Sequence, residues 1–243
     1  MASREIQGRE DAVKEQFLKR FRHRCAQEIV PEISGPTSGN DRKLLADNFF
    51  GSGGRFFLVE AKTSENHLVR EGDKPASCYL CTALFISPSA QQRHRMSHFT
   101  SWAEGDPNEV RVRLGIYKDM VCNRAILPSC PACKTVPPKA RTHTADEFMN
   151  MVLASPSDVG LGPSEFVLYV KWLLEVTSGH NKNAPFPMTL YGTSYSLGFD
   201  DKTFASYDDF HQWHAVVLAN ASPELKQKLA SSSSLKRKGR RLR

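Results

Sequence analysis

The 243-residue sequence contains no run of 18 or more apolar residues, so it offers no candidate for a membrane-spanning helix. Its first residues, MASREIQGRED, lack the apolar stretch of a secretory signal. The two absences lead to an expected place inside a cell, in reducing conditions and without a membrane partner. That place is cytoplasmic, or nuclear if the host has a nucleus. No internal repeat is found, which excludes a solenoid. Trp102, Trp172 and Trp213 form no stacking pattern, which argues against a single-strand binder built on aromatic platforms.

Net charge is scarce as well once the tail is set apart. Six of the 33 basic residues, Lys236, Arg237, Lys238, Arg240, Arg241 and Arg243, lie in LKRKGRRLR after a serine run. The remaining 27 meet 26 acids, so the body is nearly neutral. Such a tail attracts nucleic acid without sequence preference and releases it with salt. The same composition suits a solubilising terminus or a nuclear-import signal.

What is present is enough apolar content, 40%, to bury a core in a chain of this length. Residues 6–27 read as a helix, with Val13, Phe17, Phe21 and Cys25 repeating every four positions on one face. Glu10 falls on that same apolar side, three residues before Val13. The segment 33–43 reads as a loop. LLADNFF and RFFLVEAK flank GSGG, whose glycines suit a tight turn between antiparallel strands. Helices are expected over PSAQQRHRMSHFTSWAE, TADEFMNMVLA, GPSEFVLYVKWLLEVTSG and SYDDFHQWHAVVLANASPELKQKLA, a strand over EVRVRLGIYKDMV and a hairpin over APFPMTLYGTSYSLGF.

The stretch FFLVEAKTS (56–64) carries the first functional signal. Alternation puts Phe56, Leu58, Glu60 and Lys62 on one face and Phe57, Val59 and Ala61 on the other. A strand apolar on both faces is covered on both sides, and opposite charges at its end then ask for a reason. The hairpin brings Asp47 near Glu60. Two carboxylates with water and phosphate oxygens can complete the shell of Mg²⁺, and a lysine beside them can steady phosphate charge and the attacking water. The bland alternative is an exposed ion pair at a strand end, with Asp47 in an ordinary turn.

Asp47, a gap of twelve residues and Glu60-x-Lys62 resemble the PD-(D/E)XK nuclease superfamily, in its resolvase and restriction-endonuclease branches. The resemblance spans roughly residues 8–127, with Ala46 where the name-giving proline would be. It implies that Asp47 and Glu60 ligate Mg²⁺ or Mn²⁺ and that Lys62 serves the water. Glu10 would match the glutamate of a preceding helix better than Glu15, which lies off the apolar face. The implied reaction is hydrolysis of nucleic-acid phosphodiesters, DNA being the expected substrate, with a homodimer suited to double-strand cleavage. It also implies that Lys62→Ala keeps the fold and loses cleavage.

Six cysteines in an intracellular chain point to metal before disulfides. Cys78-x2-Cys81-x12-His94-x3-His98 has the spacing of a two-cysteine, two-histidine zinc finger. Cys130 and Cys133 form a second knuckle. Three ligand sets stay open: Cys78, Cys81, His94 and His98; a four-cysteine ribbon of Cys78, Cys81, Cys130 and Cys133; or a second site using Cys122, Cys130, Cys133 and His143. Zn²⁺ would be structural, and a non-catalytic zinc-finger binder of nucleic acid is the rival reading. A protein-interaction adaptor held together by zinc is a third.

The fold class expected is α/β, a mixed central sheet flanked by helices with a restriction-endonuclease-like core. Residues 1–127 form that core, with a zinc-finger-like insertion at 75–103. A Cys/Pro-rich knuckle segment follows at 128–143, a mainly helical region at 144–230 and a disordered basic tail at 231–243.

Overall fold

The structure is a computed structural model, describing residues 2–30, 32–37, 44–105, 111–133, 140–154, 157–178, 190–194 and 199–204, with 212, 215 and 216. Helix α1 (Ala2–Gln27) runs into β1 (Glu32–Pro36), β2 (Asn48–Ser52) and β3 (Arg55–Lys62). A 3-10 helix (Glu65–Asp73), α2 (Pro75–Ile86) and α3 (Pro88–Ser97) cross over to β4 (His98–Glu104). Then come β5 (Arg111–Ile116), α4 (Tyr117–Val121), β6 (Thr142–Thr144), α5 (Ala145–Leu153) and α6 (Pro163–Thr177). A hairpin of β7 (Leu190–Ser194) and β8 (Phe199–Phe204) follows.

The strands form a mixed sheet in the order β6-β5-β4-β3-β2-β1-β7-β8. Among the described residues only β3 and β4 run parallel, which is why a long helical crossover joins them. The β2–β3 turn needs two residues, Gly53 and Gly54, with φ of 56° and 78°. Positive φ at both central positions gives the turn that follows the twist of the strands. Gly51 opposite is needed for another reason: a Cβ there would lie 2.6 Å from the Phe56 ring.

The alternation read in β3 divides two cores. Phe57, Val59 and Ala61 pack with Val13, Phe17, Phe21 and Cys25 of α1 and with Phe148 and Met149 of α5. Phe50 and Phe57 stack at 5.5 Å, and Phe17 and Phe148 meet them edge-on or tilted. Phe56 and Leu58 face the other layer, with Leu80 and Leu84 of α2 and Phe166, Tyr169 and Leu173 of α6. The architecture is α/β.

Several elements differ from expectation. β1 lies in a segment read as loop, because Gly35 and Pro36 mask a strand that β2 pairs along its whole length. The helix expected from Pro88 stops at Ser97, and His98 to Glu104 form the strand parallel to β3. Residues 75–103 are thus no zinc-finger-like insertion: Leu80, Leu84 and Ala90 are core residues, and β4 pairs with both β3 and β5. The first apolar run becomes strand only at Asn48, after Leu45 takes a φ of 50°. Most of the region 206–230, read as helix, and the basic tail with Lys236, Arg237, Lys238, Arg240, Arg241 and Arg243 lie outside the described residues.

Candidate functional site

At the C-terminal end of β3 the chain gathers charge that it then buries. Glu60 and Lys62 are 2% and 6% exposed, on the face the strand alternation assigns to them. Ala61 between them donates its N–H to Asp47 Oδ2 at 2.7 Å. Asp47 directly precedes β2, with its own N–H on the Val59 carbonyl at 3.0 Å. Asp47 Oδ1 lies 3.2 Å from Lys14 Nζ of α1. Glu10, half-buried, lies one helical turn before Lys14. The hairpin therefore brings the two carboxylates to the same end of two central strands, and α1 supplies Lys14 beside Asp47.

The sequence reading missed the residues that hold Lys62. Glu71 of the 3-10 helix is fully buried. Its Oε1 lies 2.9 Å from Lys62 Nζ and 2.8 Å from Lys74 Nζ. Lys74 also reaches Glu60 Oε1 at 2.7 Å, the oxygen that Lys62 binds. Tyr117 donates its hydroxyl to Glu71 Oε2 at 2.7 Å, and Ser77 Oγ, 2.9 Å away, donates in turn to Tyr117. Two ammoniums thus sit between two buried carboxylates. The only local signal for Glu71 and Lys74 was an acid and a base three residues apart.

Burial alone would push both carboxyls up and both ammoniums down. The outcomes differ with the neighbours. Glu60 is raised to about 7, by burial first and then by the negative charge of Asp47, which Lys62 and Lys74 only partly offset. Glu71 goes the other way, to about 2: burial opposes its ionisation, but Lys62, Lys74 and the Tyr117 hydroxyl outweigh it. Lys62 is desolvated too, yet Glu60 and Glu71 together hold it well above the usual lysine range. Lys62 is a permanent cation at any physiological pH.

Glu60 Oε2 is the odd atom. It is buried, and among the described residues it has no hydrogen-bond partner. An uncompensated carboxylate oxygen of this kind is costly and is the natural place for a cation. Asp47 and Glu60 are carboxylates of the kind a divalent ion takes along with water and phosphate oxygens, although both Asp47 oxygens here have partners in the Ala61 N–H and Lys14. Among the described residues, no group of three or more His, Cys, Asp or Glu side chains is placed to hold a metal by itself.

The two-cysteine, two-histidine set is not assembled. His94 lies in the last turn of α3 and His98 begins β4, so the pair does not share a helix face. Both rings are fully buried and all four ring nitrogens are used. The Lys118 N–H donates to His94 Nε2 at 3.0 Å, so the proton of a neutral His94 is on Nδ1, which donates to the Tyr169 hydroxyl at 2.7 Å. The Leu45 carbonyl accepts from His98 Nε2 at 2.8 Å, leaving His98 Nδ1 to accept from Tyr169 at 2.8 Å. Lys118 lies in the first turn of α4, where an N–H lacks a partner within its own helix.

Burial holds His94 well below the ordinary histidine value and takes His98 down to about 4. Nitrogen-15 chemical shifts are expected to report the Nδ1-H tautomer for His94 and the Nε2-H tautomer for His98. Neither ring is expected to titrate between pH 8 and about pH 5.5. A shared tautomer, or titration near pH 6.5, would break the proposed chain of donors.

The cysteines group differently. Cys81 is disulfide-bonded to Cys122, while Cys78 and Cys130 are close enough to share a hydrogen bond. Cys133 hydrogen-bonds Cys130 in the same way. His143 lies in β6 opposite Leu114. Cys25 is core, hydrogen-bonded to Ser52 at 3.5 Å. No helix among the described residues is long and apolar enough to cross a membrane. Comparison of the chain with protein-family models, with curated proteins and with solved structures finds no significant match.

Proposed function

We propose that the chain is a metal-dependent nuclease of PD-(D/E)XK type that hydrolyses phosphodiester bonds of nucleic acid, DNA in the first instance. The observation that carries the reading is the buried, unpartnered Glu60 Oε2 beside Asp47, with Lys62 fixed on the same strand. The element order supports it: a helix, a three-strand meander and a helical crossover to a parallel strand put Asp47 and Glu60-x-Lys62 on adjacent chain segments. Mg²⁺ or Mn²⁺ would be held by Asp47 and Glu60 and would supply Lewis-acid polarisation of the phosphate.

The roles of the chain's own residues follow from their charge states. Lys62 keeps its proton, so it donates hydrogen bonds to the attacking water or a phosphate oxygen and does not act as the base. Glu71 stays ionised and anchors the Lys62 ammonium, with Tyr117 fixing the carboxylate from behind. Lys74, partly exposed, adds positive charge at the mouth of the cluster. The basic tail would add salt-dependent affinity without choosing a sequence.

The test is cleavage of circular and linear DNA with Mg²⁺ or Mn²⁺, running wild type beside Glu60→Gln. Nicking or degradation by wild type alone is expected. Equal activity in both proteins would remove Glu60 from the reaction. Binding without cleavage by either would leave a nucleic-acid binder in place of a nuclease.

A further inference from the structure

Five of the six cysteines gather along one side of α2, apart from the carboxylates. Cys78 and Cys81 lie three positions apart, on one side of that helix. Cys81 is joined to Cys122, just past α4, with Cα atoms 5.5 Å apart. The segment after Cys122 folds back through the Cys133 N–H to the Cys130 carbonyl at 3.0 Å and through Arg124 Nε to the Cys133 carbonyl at 2.7 Å. This places Cys130 Sγ 3.6 Å from the Cys78 carbonyl and 3.8 Å from Thr82 Oγ1. Cys130 shares thiol hydrogen bonds with both Cys78 and Cys133. Cys81, Cys130 and Cys133 are buried, and Cys78 is partly so.

Three thiols packed on one another have little reason to be there as thiols. They are weak donors and acceptors, and a hydrophobic contact would serve the core better. In a tetrahedral zinc site with Zn–S of about 2.3 Å, neighbouring sulfurs stand about 3.8 Å apart, close to thiol hydrogen-bond separations. Among the described residues, with Cys81 held in the disulfide, the cysteines do not form a metal-binding group, and its release would give two C-x-x-C pairs, the complement of a closed structural site. The disulfide uses Cys81, the one sulfur that shares a helix with Cys78.

We propose that the reduced protein binds one Zn²⁺ through Cys78, Cys81, Cys130 and Cys133, and that the Cys81–Cys122 disulfide is the competing, metal-free state. Reduction by a phosphine breaks the S–S bond: the phosphine gains the oxygen of a water molecule, the two sulfurs gain its two protons and the electron pair, and Cys81 is released. On binding, the four thiols give their protons to solvent as thiolates. The ion fastens 130–133 to α2, and the same loop, at Ile126, lies against the 3-10 helix that carries Glu71. Gly72, next to Glu71, lies so near the Ile126 carbonyl that a Cβ would come within 2.3 Å of it.

Cobalt titration of the full chain tests this, with and without a phosphine reductant and in the absence of oxygen. The reduced protein is expected to take up one Co²⁺ with the visible absorption of tetrahedral four-thiolate coordination, displaced by one equivalent of Zn²⁺. The oxidised protein is expected to lose that signal. Cys122→Ser leaves four ligands and no competing disulfide, so it is expected to bind with or without reductant. Cys81→Ser is expected to lose the four-thiolate spectrum. Absence of the spectrum in the reduced wild type overturns the site. Loss in Cys122→Ser with retention in Cys81→Ser overturns the ligand assignment. If Cys81→Ser does not fold, the dependence of wild type and Cys122→Ser on reductant still decides the matter.

Discussion

Replacing Lys62 by methionine is expected to lower metal-dependent DNA cleavage by on the order of 10²–10³-fold, the loss typical of removing one preorganised donor from a developing charge. The lysine has no freedom to be replaced from a distance. Its ammonium is pinned between Glu60 and Glu71, and Lys74 is already engaged with both carboxylates. Methionine keeps most of the stem's volume, so the apolar contacts of the buried chain survive. The charge balance does not survive: two buried carboxylates would face one lysine. Breaking a buried pair in this way costs about 3–5 kcal/mol when the partner stays charged. Glu60 has a way out, because its carboxyl at about 7 takes a proton readily.

Urea unfolding of Lys62→Met is therefore expected to show a loss smaller than that range at pH 6 and larger at pH 8. The expectation of an untouched fold, natural for a surface lysine, does not suit a residue 6% exposed. Cleavage at the wild-type rate by the folded variant would refute the role of Lys62.

What could be read in advance depended on how local the cause was. Val13, Phe17, Phe21 and Cys25 announce a helix face by spacing alone, and all four are buried. The two faces of β3 were legible because alternation needs only the strand itself, and Gly53 and Gly54 carry the turn in their own dihedrals. β4 was not legible. His98, Thr100 and Ser101 look like the end of an exposed helix, yet all three are buried beside β3 and β5. The strand pairing satisfies its backbone, and Tyr169 and the Leu45 carbonyl satisfy the His98 ring, and those partners come from distant positions.

The same holds for the site. Asp47, Glu60 and Lys62 share one hairpin and could be paired by counting residues. Glu71 reaches Lys62 through a 3-10 helix that has no periodic signature, and Tyr117 reaches Glu71 from 46 residues further on. The histidines show the converse error. Their spacing after Cys78 and Cys81 imitates a zinc finger, while Tyr169, Leu45 and Lys118 use up every nitrogen. Spacing proposes ligands; only burial and partners decide whether a lone pair is free.

Glu60→Gln is expected to be more stable than wild type at pH 8, with the advantage gone at pH 5. The sign follows from the raised carboxyl. The folded protein holds the Glu60 proton to about pH 7, whereas the unfolded chain releases it near 4.5. The stabilisation from that proton is complete below 4.5 and is lost as pH rises through 7. A difference of this size corresponds to roughly 3–4 kcal/mol, at about 1.4 kcal/mol per unit. Glutamine mimics the protonated form at every pH, so the variant escapes the loss. His94 and His98 destabilise both proteins alike on acidification and cancel in the comparison.

A cation at Glu60 Oε2 replaces the proton as the partner that the buried oxygen lacks, so ion and proton compete. The melting temperature of the wild type at pH 8 is then expected to rise with Mg²⁺, as a ligand of the folded state requires, and that of Glu60→Gln to stay nearly constant. Apparent Mg²⁺ affinity is expected to fall about tenfold per pH unit below 7, one proton displaced for each ion bound. A pH-independent stability difference between the two proteins would show that Glu60 is ionised throughout. An equal response of both to Mg²⁺ would place the ion elsewhere.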